Sequence, residues 1–523
     1  MLSANIEKYI PKKYRTEIHG NLAVFEVPVS EITDVVKNLY ANTGTSLKTI
    51  TATDERKDSA CFKIFYIFGV PGENIFLAPF IRLQGVEEFP SVASVIHEAW
   101  NYERKIRTFF GLNPKGLLDE RPIILHDNWP KNLFPLRKDF NWNKRPDKSK
   151  GSYEFQKVEG EGIYEIPVGP IHAGIIEPGH FRFNVAGEEI LLLEARLGFA
   201  HKGSEKLFEV LPMDAKLKLS EKISGDSSFS HSLAFCQAIE NLAGINVPDR
   251  AKYLRVVFAE LERLANHLGD IGAIMIDTGF NFGGANGARL REMVMRINER
   301  LSGSRFLRGV NIIGGVMKDI DRENQDKLVE ELQSIIKDFS EVIGIAENSS
   351  SLLNRLKDTG ILDYQIAKDY GVVGVAAKAI GIERDARADY PYAAYDKLNI
   401  DISTGHGGDV YARFSVRVKE VYSSFEIIKK ALVCLSESGQ IASASTNIVL
   451  KKNAIAVSIV EGWRGDIIYF VATDAEGNIN RVDVRDPSFL NWAAVGHAGP
   501  GNIVPDFPLI NKSFNLSYSG NDL

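Results

Sequence analysis

A serine, an aspartate, a second serine and a histidine crowd into one short stretch, Ser224-Gly225-Asp226-Ser227-Ser228-Phe229-Ser230-His231. These are the residue types of a hydrolytic triad, in which an imidazole takes the proton of a nucleophilic hydroxyl. Ser227 and His231, however, stand four apart at what reads as a helix start, where an N-cap and a surface group explain them more simply. Gly405-His406-Gly407-Gly408-Asp409 is glycine-rich but matches neither a phosphate-binding loop nor a dinucleotide fingerprint. It reads as a turn feeding the N-cap Asp409, and NAD binding is not expected of this chain. The three cysteines, Cys61, Cys236 and Cys434, form no Cys-x-x-Cys. Neither a zinc site nor a cysteine-ligated iron–sulfur cluster is expected within the chain, and the thiols read as reduced and mostly buried.

The elements that must position such groups are those of a large α+β protein. At 523 residues the chain exceeds one compact core. Its 44% hydrophobic and 25% charged residues are ordinary for a globular protein, and a net charge of -6 argues against nucleic acid as a partner. No run approaches the roughly 20 apolar residues of a membrane span. The opening Met1 to Tyr9 has no secretory pattern, so a cytoplasmic location is expected. Strands are predicted at 21–29, 46–53, 61–70 and 74–79, a helix at 31–41 and an amphipathic segment at 92–110. Residues 1–140 therefore read as a first, α/β-sandwich-like domain, 141–160 as a polar linker with Pro and Gly, and 161–523 as a second domain, mainly helical with small sheets. In the second domain a β pattern covers 162–196 and another 454–485. Helices are predicted from Asp249 to Ile274, with Leu254, Val257, Phe258, Leu261, Leu264 and Leu268 on one buried stripe and Arg255, Glu262 and Arg263 off it, at about 288–301, and from Asp409 through Leu432.

Longer stretches carry a resemblance. Trp100-Asn101-Tyr102-Glu103-Arg104-Lys105, Phe109-Phe110-Gly111, His126-Asp127-Asn128-Trp129-Pro130 and Pro135 to Phe140 resemble the 30-kDa-type subunit of NADH:quinone oxidoreductase, complex I. Gly169-Pro170-Ile171-His172, Glu177 to Arg182, His201 to Lys206, Glu260 to Arg263 with His267, Tyr390-Pro391-Tyr392, Gly408 to Arg413, Asp486 to Phe489 and Asn491-Trp492 resemble its 49-kDa-type subunit. They are still more similar to the large subunit of membrane-bound, formate-hydrogenlyase-type nickel–iron hydrogenases. In that hydrogenase family two Cys-x-x-Cys pairs hold the metals. Here the matching positions are Ser224 and Ser227, then Ser517 and Gly520. A hydroxyl is a hard, undissociated ligand and glycine offers none, so the resemblance implies a hydrogenase frame without its nickel.

The resemblance also implies roles. The first domain is implied to be a non-catalytic scaffold. Glu177 matches a proton-relaying glutamate, for which a buried carboxylate with a raised pKa is suited; the alternative is a carboxylate bonded to nearby backbone N–H groups as a cap. His180 and Asp277 match the pair that serves the quinone head-group of complex I, whereas the head-group tyrosine corresponds to Gly225. Arg308 falls near a partner's terminal cluster. The segment His201 to Lys206 has the mixed charges of a solvated helix start and is implied to touch the small subunit.

The implied assembly is an ion-translocating complex on the cytoplasmic side of the inner membrane. Its partners would be a small iron–sulfur subunit, ferredoxin-like subunits, and antiporter-like and quinone-channel-like membrane subunits. The chain itself would carry no cofactor and would act on a quinone or another small acceptor, or else serve as a non-catalytic coupling subunit. Only Asn521, Asp522 and Leu523 follow Gly520, so no extension is expected to be removed. The apolar segment from Asn502 onward is expected to fold into the core beside Ser224 and Ser227, with its hydroxyls paired.

Overall fold

A computed structural model describes residues 6, 8–42, 44–173, 176–435, 438–443 and 448–523. Residues 1–5, part of the opening segment read for a signal, and residues 174–175, inside the predicted β region, lie outside the described residues.

The first 110 residues build a five-stranded sheet from β1 (Thr16–His19), β2 (Leu22–Glu26), β3 (Ser46–Glu55), β4 (Cys61–Val70) and β5 (Ile75–Gln84), in the order β1-β2-β5-β4-β3. Only the β2–β5 pair is parallel. Strand β4 is an almost continuous apolar run, the pattern of a strand covered on both faces. Its Phe62, Ile64, Tyr66 and Phe68 pack with Ile32, Val36 and Leu39 of α1 (Ile32–Asn42) and Ile106 of α2 (Ala99–Phe110). The alternate residues Phe65 and Ile67 face a sheet from the far end of the chain, β9 (Ile455–Gly462), β10 (Gly465–Thr473) and β11 (Ile479–Arg485), meeting Val457, Ile459, Ile468 and Phe470. Phe65 and Phe470 lie 5.3 Å apart between ring centroids. The predicted helical segment at 92–110 is shorter than expected, since residues 91–98 form turns and the helix begins at Ala99.

Residues 141–160 contain neither helix nor strand, and are tied down where Tyr153 Oη and the Gln156 N–H donate to Glu194. The three-stranded antiparallel sheet that follows has the order β8-β7-β6, from β6 (Ile163–Val168), β7 (His180–Ala186) and β8 (Glu189–Arg196). Then come α3 (Ser204–Val210), α4 (Ser228–Ala243), α5 (Asp249–Asp277), α6 (Asn281–Ser302), α7 (Arg322–Glu347) and α8 (Val410–Cys434). Asp409 caps α8 as its turn predicts, accepting from the Ala412 N–H at 2.7 Å. Helices α5 and α6 approach closely because Gly272 faces Gly287, where a Cβ on Gly287 would sit 2.5 Å from the Gly272 Cα.

Helix α5 departs from the one-faced stripe read in its sequence. Arg255, Glu262 and Arg263 are buried along with the leucines. Each has a partner inside: Arg255 has Glu240 at 2.6 Å, Arg263 the Glu461 carbonyl at 2.7 Å, and Glu262 the Phe229 N–H at 2.7 Å. Burying charge is tolerable only with such partners.

The segment His201 to Lys206 also departs from its reading. Ser204, Glu205 and Lys206 are buried, because α3 is wedged between the two ends of the chain. Lys105 of α2 pairs with Glu205 at 2.9 Å and with Asp483 of β11 at 3.0 Å, and Arg481 reaches both carboxylates. This buried network joins residues more than 370 positions apart. The chain closes with α9 (Pro487–Ala498), capped by Asp486, then α10 (Phe507–Phe514) and α11 (Tyr518–Asp522).

Candidate functional site: a hydroxyl and ion-pair cluster

Three elements converge on one buried spot. The first is the loop 221–227 leading into α4, the second the tight turn Gly462-Trp463-Arg464-Gly465 between β9 and β10, and the third the final helix. Ser224 Oγ lies 2.9 Å from Ser517 Oγ and 2.9 Å from Asp226 Oδ1, and Ser227 Oγ lies 3.4 Å from the same carboxylate. Arg464 grips Asp226 with both terminal nitrogens, each at 2.7 Å, and its Nη1 also reaches Ser224 and Ser227 at 3.3 and 3.5 Å. Its guanidinium is stacked on the Trp463 ring, 3.9 Å from the centroid. Burial alone would raise the Asp226 pKa, but the adjacent guanidinium and the Ser224 hydroxyl carry it below the ordinary carboxylate range.

The tail thus folds in beside Ser224 and Ser227 as its apolar character predicts. Ser517 caps α11, accepting from the Gly520 N–H at 2.9 Å, while its own N–H donates to Ser488 Oγ. Asp522 accepts the Gly198 and Ala200 N–H groups at 2.9 and 2.8 Å, and burial pushes its carboxyl up to about 6. The Leu523 carbonyl takes the Lys202 and Ser204 N–H groups, so the buried 201–206 segment holds the tail.

Of the four positions matching metal ligands, Ser224, Ser227 and Ser517 come together with their hydroxyls engaged, and the fourth has no room for a side chain. A Cβ on Gly520 would lie 2.7 Å from the Asp486 carboxyl carbon and 2.8 Å from its Oδ2. Asp486 cannot easily move, since it caps α9 through the Ser488 N–H at 2.7 Å and meets His231 Nε2 at 3.0 Å. Three hydroxyls, no thiolate and a carboxylate packed over the fourth position do not fit thiolate-held nickel. Among the described residues no group of three or more His, Cys, Asp and Glu side chains is placed to hold a metal ion.

His231 corrects the surface reading given to it. The imidazole is fully buried between Asp486 and Tyr469 Oη, the latter 3.1 Å from Nδ1. Ser227 stands at the N-cap position of α4 but makes no capping bond with its side chain, which turns to the Asp226–Arg464 pair instead. The triad residue types therefore serve two separate networks.

The residues matched to proton and acceptor chemistry lie around this cluster rather than in it. Glu177 is exposed in the isolated chain, not buried, and accepts the Ser519 N–H at 2.9 Å, one residue from Gly520. His180 is half-buried at the start of β7, with Nδ1 3.4 Å from the Gly169 carbonyl, and partial burial lowers its pKa. Asp277 ends α5 on the surface; desolvation raises its carboxyl, opposed by Lys512. Arg308 is exposed and reaches the Gly225 carbonyl at 3.4 Å and Ser228 Oγ at 3.3 Å. Cavities of about 470, 700 and 410 Å³ are lined by none of Glu177, His180 and Asp277. Cys61 and Cys236 are buried and Cys434 exposed, all as free thiols.

Behind Trp463 lies a second charged network that sequence reading missed. Lys378 bonds Asp385 at 2.6 Å and Glu420 at 2.7 Å; Arg387 bridges Asp385 and Glu260; His267 meets Glu420 at 2.7 Å. All are fully buried, and desolvation together with the neighbouring Asp385 pushes Glu461 up to about 8. The signal for it was the set of isolated charges inside otherwise apolar elements, such as Glu461 and Arg464 at a turn between two apolar strands.

A fused two-part fold, in which the tail, a serine-rich loop and a strand turn close on one site, defines the class. A family model described as the respiratory-chain NADH dehydrogenase 30 Kd subunit matches residues 25–146, and one described as the 49 Kd subunit matches residues 277–459. The chain belongs to the complex I-related family of oxidoreductase subunits in which 30-kDa-type and 49-kDa-type parts are fused in one polypeptide. It is 33% identical over 503 residues to formate hydrogenlyase subunit 5 of Escherichia coli (strain K12), covering 95% of this chain and 88% of that protein. To hydrogenase-4 component G of the same organism it is 33% identical over 503 residues, covering 95% and 87%. The carbon monoxide-induced hydrogenase of Rhodospirillum rubrum is 31% identical over 355 residues, covering 67% of this chain and 97% of that protein. Among the described residues no helix is long and apolar enough to cross a membrane.

Proposed function

We propose that this chain is a peripheral-arm subunit of a membrane-bound, ion-translocating complex related to complex I and the formate-hydrogenlyase-type hydrogenases, and that it works without a nickel–iron centre. The observation that carries the reading is the Asp226–Arg464 ion pair with its three serine hydroxyls, standing where the resemblance puts the metal ligands. The guanidinium supplies the fixed positive charge there and the carboxylate neutralises it, so the loop, the strand turn and the tail are held together by charge-assisted hydrogen bonds.

Electron transfer would then proceed between an iron–sulfur cluster of a small partner subunit and a quinone or other small acceptor. The exposed Glu177 and the nearby β7 residue His180 supply a carboxylate and an imidazole that can hold or pass a proton at the acceptor's oxygen. Asp277, on a different element, would orient His180 or the acceptor only once a partner wall brings them into one site. Arg308, exposed beside the 225 carbonyl, would face the partner's cluster. The location on the cytoplasmic face, and the ferredoxin-like, antiporter-like and quinone-channel-like partners, belong to the same proposal.

One observation favours a second reading, a non-catalytic coupling subunit: the cluster's groups bond one another, and the cavities of about 470, 700 and 410 Å³ are not lined by Ser224, Asp226, Arg464 or Ser517. Acceptor reduction by the purified complex separates the two. Loss of quinone or dye reduction in both Glu177→Gln and His180→Gln, with assembly intact, supports the catalytic reading. Unchanged reduction in both supports the coupling reading.

A further inference from the structure

A cavity of about 700 Å³ opens at the seam between the two fused parts, well within the range of small-molecule sites. Its walls come from both: α1, β3 and residues Val95 and Glu98 on one side, and β10, β11 and the stretch around residues 371–384 on the other. Four cations line it, Lys48, Lys368, Arg384 and Arg485, against three carboxylates.

Of the acids, Asp466 is engaged by cations of the wall, Glu98 has its pKa raised by burial, and Glu383 lies exposed at the rim without a salt bridge among the described residues, while some guanidinium donors stay unpaired. Asp466 is taken by Lys48 at 3.1 Å and by Arg485 Nη2 at 3.0 Å. Glu98, buried in the wall, forms no ion pair among the described residues, and burial pushes its carboxyl up to about 7 against the pull of Lys48, Arg485 and Arg384. Arg485 is 2% exposed, yet its Nε and Nη1 have no hydrogen-bond partner, although buried donors are nearly always paired. Arg384 is exposed at the rim with no salt bridge or side-chain hydrogen bond among the described residues. The unpaired donors of Arg485 and the free guanidinium of Arg384 beside this cavity suit an anion, since guanidinium forks match carboxylate and phosphate oxygens.

The geometry points to a binding site for a small oxyanion, a carboxylate or phosphate, in the seam cavity between Lys48, Arg384 and Arg485. Its occupant would bridge the two fused parts. This site is separate from the Ser224 cluster and does not depend on the redox reading.

The test uses the full chain, titrated with inorganic phosphate and separately with succinate, at constant ionic strength against chloride. Thermal unfolding and calorimetry read the binding. At least one probe should stabilise saturably, and whichever binds tighter identifies phosphate or carboxylate as the recognised group. Arg384→Gln should weaken that binding about tenfold. Glu98→Gln, which removes an opposing acid, should tighten it, a gain that a merely damaged fold would not produce. Arg296→Gln, on the exposed face of α6, should leave it unchanged. The inference is overturned if neither probe exceeds chloride, if Arg384→Gln binds like the parent, or if Arg296→Gln weakens binding equally.

Discussion

Replacing Asp226 by Asn tests how much the ion-pair cluster contributes to holding the site together. The substitution is nearly isosteric, but Asn presents one acceptor where the carboxylate presents two, and it leaves the Arg464 guanidinium, 5% exposed, without its counter-charge. Breaking a fully buried pair costs about 3–5 kcal/mol. The Asp226 side chain is 33% exposed, so solvent screens part of this, and we expect roughly 2–3 kcal/mol. Arg464→Met should cost a similar amount, and the double variant should fall short of the sum by about 1–2 kcal/mol, because each single change strands the other partner. Chemical denaturation followed by tryptophan fluorescence is suited to the measurement: Trp463 stacks on Arg464 and donates its indole N–H to the Asp226 carbonyl at 3.3 Å. The sign with pH is fixed as well. A carboxyl depressed on folding adds stability that is present above the unfolded value, about 4, and is lost as pH falls through the folded one, so parent and Asp226→Asn should converge in acid. Asp226→Asn within about 0.5 kcal/mol of the parent near neutral pH, or strictly additive single costs, would refute the reasoning.

Gly520→Ala should destabilise by about 1–3 kcal/mol, since its Cβ would overlap Asp486, and Gly520→Cys should do the same without gaining nickel; denaturation and metal analysis check both. Lys105→Met removes one of the two cations that hold Glu205 and Asp483 at the buried seam, and because Arg481 still reaches both carboxylates we expect about 2–3 kcal/mol lost, read as earlier proteolysis between the two fused parts. Burial pushes Glu262 up to about 7, with only hydroxyl and N–H partners bonded to it. An acid raised on folding has its full stability below the unfolded carboxyl pKa and loses it as pH rises through the folded one, so stability should fall between about pH 5 and 7 and the slope should flatten in Glu262→Gln. Deleting Phe514 to Leu523 removes the groups that bond residues 198–204 and should loosen the second part, seen as faster hydrogen exchange in α3.

Where side chains follow a simple period, the sequence announced the fold. Strand β4 and helices α5 and α8 fall within a few residues of where apolar spacing and the Asp409 cap place them. The serine positions were legible through the resemblance of their motifs to those of the hydrogenase family, and Ser224 and Ser517 do meet. What stayed hidden was the identity of distant partners. Nothing near Ser224 announces Arg464, 240 positions away, nor does anything near His231 announce Asp486. Charges that look solvated by local composition, at 204–206 and on α5, are buried because tertiary partners neutralise them, and no window of sequence contains those partners.

The central claim is that an ion pair and hydroxyls, not a nickel–iron centre, occupy the heart of this subunit. The most direct measurement is the nickel content of the intact complex purified from cells grown with abundant nickel, taken together with its hydrogen–deuterium exchange activity. The account predicts nickel at background and no exchange above buffer, because no thiolate is present to hold the metal. About one nickel per chain, with hydrogen exchange that follows it through purification, would contradict the account.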